Sequence, residues 1–192
     1  MSNADHQRHA AKFYDSDQSL CATVADFLSA GLVSGHPALV IATSSHAVMI
    51  EEALGNRLID VLRARRGGDL VMLDAEEMLG TFRFGGSPDA DLFTEHVGAI
   101  FQQVVRGRGH AVIRAYGEMV DVLWKQGNSE GAIALEILWN KLALRHAFSL
   151  LCGYSMGNFF KQAEQFHEIC RLHTHVFDPD QSAVQVPAAA RP

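Results

Sequence analysis

The sequence predicts an α/β protein: a three-layer sandwich in which helices cover both faces of a mainly parallel sheet of about five or more strands. Three observations carry this expectation. Short apolar runs alternate along the chain with longer segments of helical periodicity. The runs are apolar at every position rather than every second one, as strands buried on both faces require. Finally, 192 residues that are 48% hydrophobic, with only five Pro, can fill one core without a disulfide or metal staple.

The elements follow in order. A first strand over 11–14 closes at Asp15-Ser16-Asp17, residue types that cap a helix. The helix behind it carries Leu20, Val24, Phe27, Leu28 and Leu32 on one face and ends between Gly31 and Gly35. A second strand, ALVIA at 38–42, stops at Thr43-Ser44-Ser45-His46. The next helix is split at Gly55-Asn56, and its second piece holds Leu58, Val61 and Leu62. A third strand at 70–73 ends in Asp74. Gly85-Gly86-Ser87-Pro88-Asp89 reads as the strongest helix start, with Ser87 as N-cap and Pro88 as first helical residue. A fourth strand over 110–116 leads through Gly117-Glu118 into a short helix reaching Trp124. A long helix over about 130–145, a fifth strand at 148–152 and a last helix over about 158–173 complete the pattern. One domain is expected at 9–177, between a flexible terminus at 1–8 and a mobile tail at 178–192.

Charge and cysteine usage narrow the function classes. The net charge of −6 argues against a general nucleic-acid binder, and the basic cluster Arg63, Arg65 and Arg66 is short enough for a solvated helix end. Cys21, Cys152 and Cys170 form an odd, widely spaced set that suits a reducing compartment. No apolar run is long enough to span a membrane, and the polar start lacks a signal peptide, so the chain is expected to be cytoplasmic.

Ligands of doubly wound sheets bind beyond the carboxyl ends of the strands. Tyr14, Asp15, Asp17, Thr43, Ser44, His46, Asp74, Glu118, Tyr154 and Ser155 stand at those ends, with helix capping accounting for Asp17 and Ser44. Strand alternation places Val112, Arg114, Tyr116 and Glu118 on one face, and an arginine in an apolar strand needs a carboxylate or a bound anion. Asp74, Glu118 or Glu136 can supply a structural ion pair; the alternative is an arginine that orients a ligand. Glu136 and Asn140, four apart on the long helix, share a face beside Trp139. They either hydrogen-bond neighbouring loops or line a pocket. His167, Cys170 and His173 lie three apart and face one side of the last helix, but no second ligand cluster accompanies them. The other histidines, His6 and His9 included, read as surface residues. G-x-x-x-x-G-K-[ST], G-x-S-x-G, H-E-x-x-H and C-x-x-C are all missing, so the sequence shows no catalytic constellation.

The order FYDSDQSL, GLVSGHPALVIATSSH, LDA, RAYGEMVDVLW, LEILWN and SLLCGYSM resembles the MEDS domain, a sensory domain of methanogens and methylotrophs, from about His9 to His175. The resemblance implies a RecA/KaiC-like fold that senses a small, hydrocarbon-derived ligand and signals to a partner such as a histidine kinase or a transcription regulator. The family pattern covers Phe13, Tyr14, Asp15, Asp74, Arg114, Gly117, Glu118, Trp124, Glu136, Trp139, Asn140, Cys152 and Tyr154, with Cys170 and His173. Ligand contacts are therefore expected from Tyr14, Asp15, His46, Asp74, Arg114, Glu118, Glu136, Trp139, Asn140 and Tyr154. No catalysis, cofactor or metal is expected, Cys170 and His173 being weak metal candidates. A RecA-like ATPase would carry its phosphate loop after the first strand, where this chain has acidic Asp15-Ser16-Asp17-Gln18-Ser19 without Gly or Lys. The rival expectation is a degenerate RecA-like nucleotide-binding protein or ATPase. With little chain left for a fused output, the signal is expected to leave through a partner protein or a homodimer. Gly80 to Gly86, with Phe82 and Phe84, is the candidate moving segment.

Overall fold

The computed structural model describes residues 9–159, 163–177 and 184–185. The chain runs β1 (His9–Tyr14), α1 (Asp17–Val33), β2 (Ala38–Ala42), α2 (Ser44–Gly55), α3 (Val61–Arg66), β3 (Leu70–Asp74) and α4 (Ala75–Phe82). A small hairpin of β4 (Arg83–Phe84) and β5 (Ser87–Pro88) precedes α5 (Ala90–Val104), β6 (Ile113–Gly117), α6 (Met119–Lys125) and α7 (Ser129–Leu142). After β7 (Phe148–Ser155) come α8 (Ala163–Leu172), β8 (His175–Phe177) and β9 (Val184–Gln185). The main sheet has the order β3-β2-β6-β7-β1-β8-β9, parallel throughout except for β9.

Alternation along the strands sends side chains into two cores. Tyr14, Val40, Tyr116 and Leu151 pack with Leu20, Val24, Leu28, Ile50 and Leu54 of α1 and α2. Phe13, Ile41, Ala115, Cys152 and Tyr154 face the other way, onto α4–α8. The second core is aromatic: Trp139 is 1% exposed and lies edge-on to Phe93, with Phe101 and Phe148 beside it. The three-layer sandwich of the sequence reading is thus the observed fold. Among the described residues, no helix is long and apolar enough to cross a membrane.

Three local readings are corrected. Ser87 and Pro88 do not start α5; they pair with Phe84 and Arg83 across Gly85 and Gly86. Both glycines have positive φ (59° and 96°), the conformation that a two-residue hairpin turn requires. The cap is Asp89, which accepts from the amides of Asp91 and Leu92. Within the candidate moving segment Phe82 is fully buried, while Gly80, Thr81 and the hairpin residues Arg83 to Gly86 are exposed. At the C-terminal side, the last predicted helix divides into a short 3-10 turn, Met156–Phe159, and α8. β8 and β9 were not predicted, and β9 lies within the stretch expected to be a mobile tail. The rest of that tail and residues 1–8, with His6, lie outside the described residues.

Candidate functional site

Adjacent strands whose connections leave on opposite faces open a crevice at their carboxyl ends. β2 and β6 are such a pair, since α2 packs on one face and α6 on the other. Glu118 sits there, one residue past β6, and makes no capping bond to α6. It accepts from the Thr43 amide at 2.5 Å and the Tyr116 hydroxyl at 2.9 Å, and it pairs with His46 Nδ1 at 2.7 Å. His46 Nε2 meets Asp17 at 3.2 Å, so a carboxylate faces each ring nitrogen. The Glu118 bond raises the His46 pKa against the opposing effect of burial. Burial works against ionisation of Glu118, but the bonds from His46 and Thr43 outweigh it and hold the carboxyl below its ordinary value.

The neighbouring β7–β1 crevice is equally knit. Tyr14 donates to Asp121 at 3.1 Å, and Asp121 also accepts from the Ser155 amide at 2.8 Å and from Asn158 at 2.5 Å. Lys125 pairs with the same carboxylate at 2.7 Å. Burial, then Asp121, pushes the Tyr14 phenol upward. On the other flank, Asp74 caps α4 through the amides of Glu76 and Glu77 and accepts from Ser44 at 3.1 Å. The Glu77 amide bond is the main cause of its lowered pKa. Beside this bond a cavity of about 290 Å³ opens between β2, β3 and α2, lined by Ala42, Ser44, Ala47, Val48, Met72 and Asp74 among others.

A second polar cluster lies on the opposite face, enclosed by the aromatic core. Glu136 of α7 has no exposed surface. Its Oε2 is 2.9 Å from His9 Nε2 and 3.8 Å from Cys152 Sγ, and its Oε1 accepts from the Tyr154 hydroxyl and lies 3.4 Å from His173 Nε2. Burial opposes the Glu136 charge, yet His173 and His9 hold the carboxyl well below its ordinary range. Burial, then His173, lowers the His9 pKa despite Glu136. Burial and Glu136 push the Cys152 thiol and the Tyr154 phenol upward. His9, Glu136, Cys152 and His173 offer ligand atoms that all lie within 4.8 Å of one another.

The model of the MEDS family (methanogen/methylotroph, DcmR sensory domain) matches residues 8–174. The chain belongs to the MEDS family. A comparison with curated proteins finds no match. Among solved structures, the KaiC-like protein of the hyperthermophilic archaeon Pyrococcus horikoshii is similar at 13% identity with a TM-score of 0.54, over 88% of this chain and 70% of that one. At this identity the likeness shows the fold, which is the RecA/KaiC-like one expected.

In this MEDS domain the ten expected ligand residues do not form one site. Tyr14, Asp15, His46, Asp74 and Glu118 stand at the strand ends, with Asp15 exposed. Glu136, Asn140 and Tyr154 belong to the enclosed cluster, Asn140 by bonding His9 Nδ1 at 3.0 Å and the Leu172 carbonyl at 3.0 Å. Trp139 is a core residue rather than a pocket wall. Arg114 is on the face predicted, but it pairs in register with Ala38 near the start of β6. Four residues of strand, about 13 Å, separate it from Glu118. Its stem packs on Gly31, where a Cβ would collide with it, and its guanidinium lies over Phe27 at 5.2 Å. Cys170 is half-buried against the apolar core and takes no part in the cluster that His173 joins. His9 is 8% exposed, a buried residue rather than a surface one. The reading from sequence put Asp17 and Thr43 at the strand ends and Cys152 in the family pattern without finding their partners, and it did not single out Asp121, because each acts through a contact distant in sequence.

Proposed function

We propose that this MEDS domain binds a small, largely apolar molecule with one polar group at the carboxyl ends of β2 and β3, without catalysis, and signals to a separate protein. A histidine kinase or a transcription regulator is the partner class that the family suggests. The observation that carries this reading is the cavity of about 290 Å³ at those strand ends. Ala42, Ala47, Val48, Met72 and Leu73 give it apolar walls, Ser44 and Asp74 supply the polar anchor, and the Glu51–Arg65 ion pair closes the other edge. Its volume is near the lower end for small-molecule pockets, about 300 Å³. Glu51 and Asp74 in the lining outnumber the single cation Arg65, which disfavours anions, triphosphates included. In the turn where a phosphate loop would lie, Ser16 caps the Ser19 amide and Asp17 holds His46.

Ligand binding conveys a signal only through different affinities for two conformations. Ser44 links the two parts needed. It bonds Asp74 at the cavity, and it lies between Thr43 and His46, both of which are tied to Glu118. A ligand that displaces the Ser44–Asp74 bond shifts the first turn of α2 and so loads the His46–Glu118 pair. Melting temperature, measured against a series of short-chain alcohols, ketones and halogenated alkanes, tests the reading. At least one compound should raise it in a saturable manner, and Asp74→Ala should abolish the rise. Saturable stabilisation that survives both Asp74→Ala and Ser44→Ala would overturn the site, and no response across the series would overturn the ligand class.

A further inference from the structure

We propose that His9, Glu136, Cys152 and His173 form a metal centre for a borderline divalent cation, zinc in the first instance. The inference is independent of the strand-end ligand. It begins with the hydrogens. Asn140 donates its Nδ2 to the Leu172 carbonyl, so its Oδ1 is the atom facing His9, and His9 must carry a proton on Nδ1. His173 Nδ1 faces the Ile169 carbonyl at 2.7 Å, which accepts only, so that nitrogen is protonated too. In the neutral form of either ring the remaining lone pair, on Nε2, points inward. There the two lone pairs meet a carboxylate, which can donate nothing, and a single thiol proton. His173 Nε2 is fully buried and makes no hydrogen bond. In that form the centre has an excess of electron pairs and a shortage of protons, which only a proton on an imidazole or a bound cation makes good.

A cation resolves that shortage. Ligands about 2.0–2.3 Å from a tetrahedral zinc ion stand roughly 3.3–3.8 Å apart. With Oε2 as the Glu136 ligand atom, the observed separations are 2.9 Å to His9 and 3.8 Å to Cys152, with 3.4 Å between His9 and Cys152, and the four ligand atoms, one from each residue, all lie within 4.8 Å of one another. One carboxylate and one thiolate also neutralise a dication, which suits an enclosed site. The outer contacts are those of metal-binding histidines, whose second ring nitrogen donates to an amide or backbone oxygen. Asn140 and Ile169 fill that role, and Tyr154 holds the far oxygen of Glu136. With all four ligands supplied by protein the site is closed, the arrangement of structural zinc. It joins β1, α7, β7 and the turn after α8.

The test uses untagged full-length protein. Metal content as purified should approach one ion per chain. After chelation, Co²⁺ titrated into the apo-protein should give the visible bands of a four-coordinate ion and a thiolate charge-transfer band. That band should persist in Cys170→Ala and Cys21→Ala and vanish in Cys152→Ala. Asn140→Ala, which removes no ligand atom, should weaken zinc binding about 10–100-fold. The wild-type spectrum alone keeps the proposal falsifiable if a variant does not fold. Metal that stays far below one ion per chain after reconstitution, or Co²⁺ bound without a thiolate band, would overturn the centre. A band unchanged by Cys152→Ala would do the same.

Discussion

The two polar clusters are built from the same residue types and solve burial in opposite ways. At the strand ends, Glu118 is surrounded by donors: a backbone amide, a phenol and an imidazole already shared with a second carboxylate. Inside the aromatic core, Glu136 receives a hydrogen bond from Tyr154 and otherwise meets the Nε2 atoms of two histidines and one weak thiol. Burial is therefore nearly equal in the two places, but proton supply is not. The first arrangement is a network that can be rearranged by a competitor for its hydrogen bonds. The second is a set of ligand atoms oriented by their outer contacts.

This contrast can be broken most directly at its two carboxylates. Glu136→Ala should destabilise the protein by about 3–5 kcal/mol in urea unfolding, because it leaves buried partners uncompensated. Glu118→Ala should cost less, about 1.5–3 kcal/mol, the range of hydrogen bonds to a charged group, since His46 keeps its second carboxylate, the exposed Asp17. Equal losses would erase the distinction. Gly153→Ala sharpens it from the other direction. A Cβ there would lie 2.8 Å from the Tyr116 hydroxyl and 3.3 Å from Leu20. Displacing the phenol that serves Glu118 should cost about 1–3 kcal/mol while leaving the enclosed cluster intact.

A smaller effect concerns pH. The raised His46 pKa means that its stabilising charge is fully present below its unfolded value, about 6.5, and is lost as pH rises through the folded value. The lowered pKa of Glu118 contributes above about 4.3 and is lost as pH falls through the folded value. The pair is therefore strongest between roughly pH 4.5 and 6.5. His46→Gln should cost about 1–2 kcal/mol in that window and less at higher pH, where Asp17, Glu118, Tyr14 and Tyr116 remain around it. A penalty that is flat with pH would show that His46 is not charged there. Smallest of all, Asp74→Ala should cost about 1 kcal/mol, the ordinary price of a lost N-cap, read from the same unfolding curves.

Much of the architecture was legible because buried parallel strands leave an unbroken apolar mark, and ALVIA or FSLLC needs no distant information to be read. Faces were legible too: alternation put Arg114, Tyr116 and Glu118 on one side, where they are. Position along the face was not, which is why Arg114 seemed a partner for carboxylates that lie at the other end of its strand. Glu136 and Asn140 were singled out correctly as polar residues in an apolar helix, but His9 is their common partner through a contact more than 120 residues distant. Nothing local distinguishes His9 from an exposed histidine before a strand. Trp139 misled for a related reason, since an aromatic beside polar residues can face either a ligand or a core. At the α5 start, a Gly-Gly hairpin turn and an aspartate cap outcompeted a serine cap only two residues upstream.

The direction of β9 has a practical consequence. It returns antiparallel along β8, with Val184 opposite Val176 and Gln185 opposite His175, so the chain comes back toward the edge where β1 begins. Both described ends of the polypeptide thus point away from the cavity beside Asp74. A fluorophore attached at position 185 would sit at the opposite end of the strands from that cavity. It would detect binding only if movement were carried through the depth of the sheet, about 17 Å for a five-residue strand. A reporter that stayed silent while the melting temperature rose would confine the response to the strand ends.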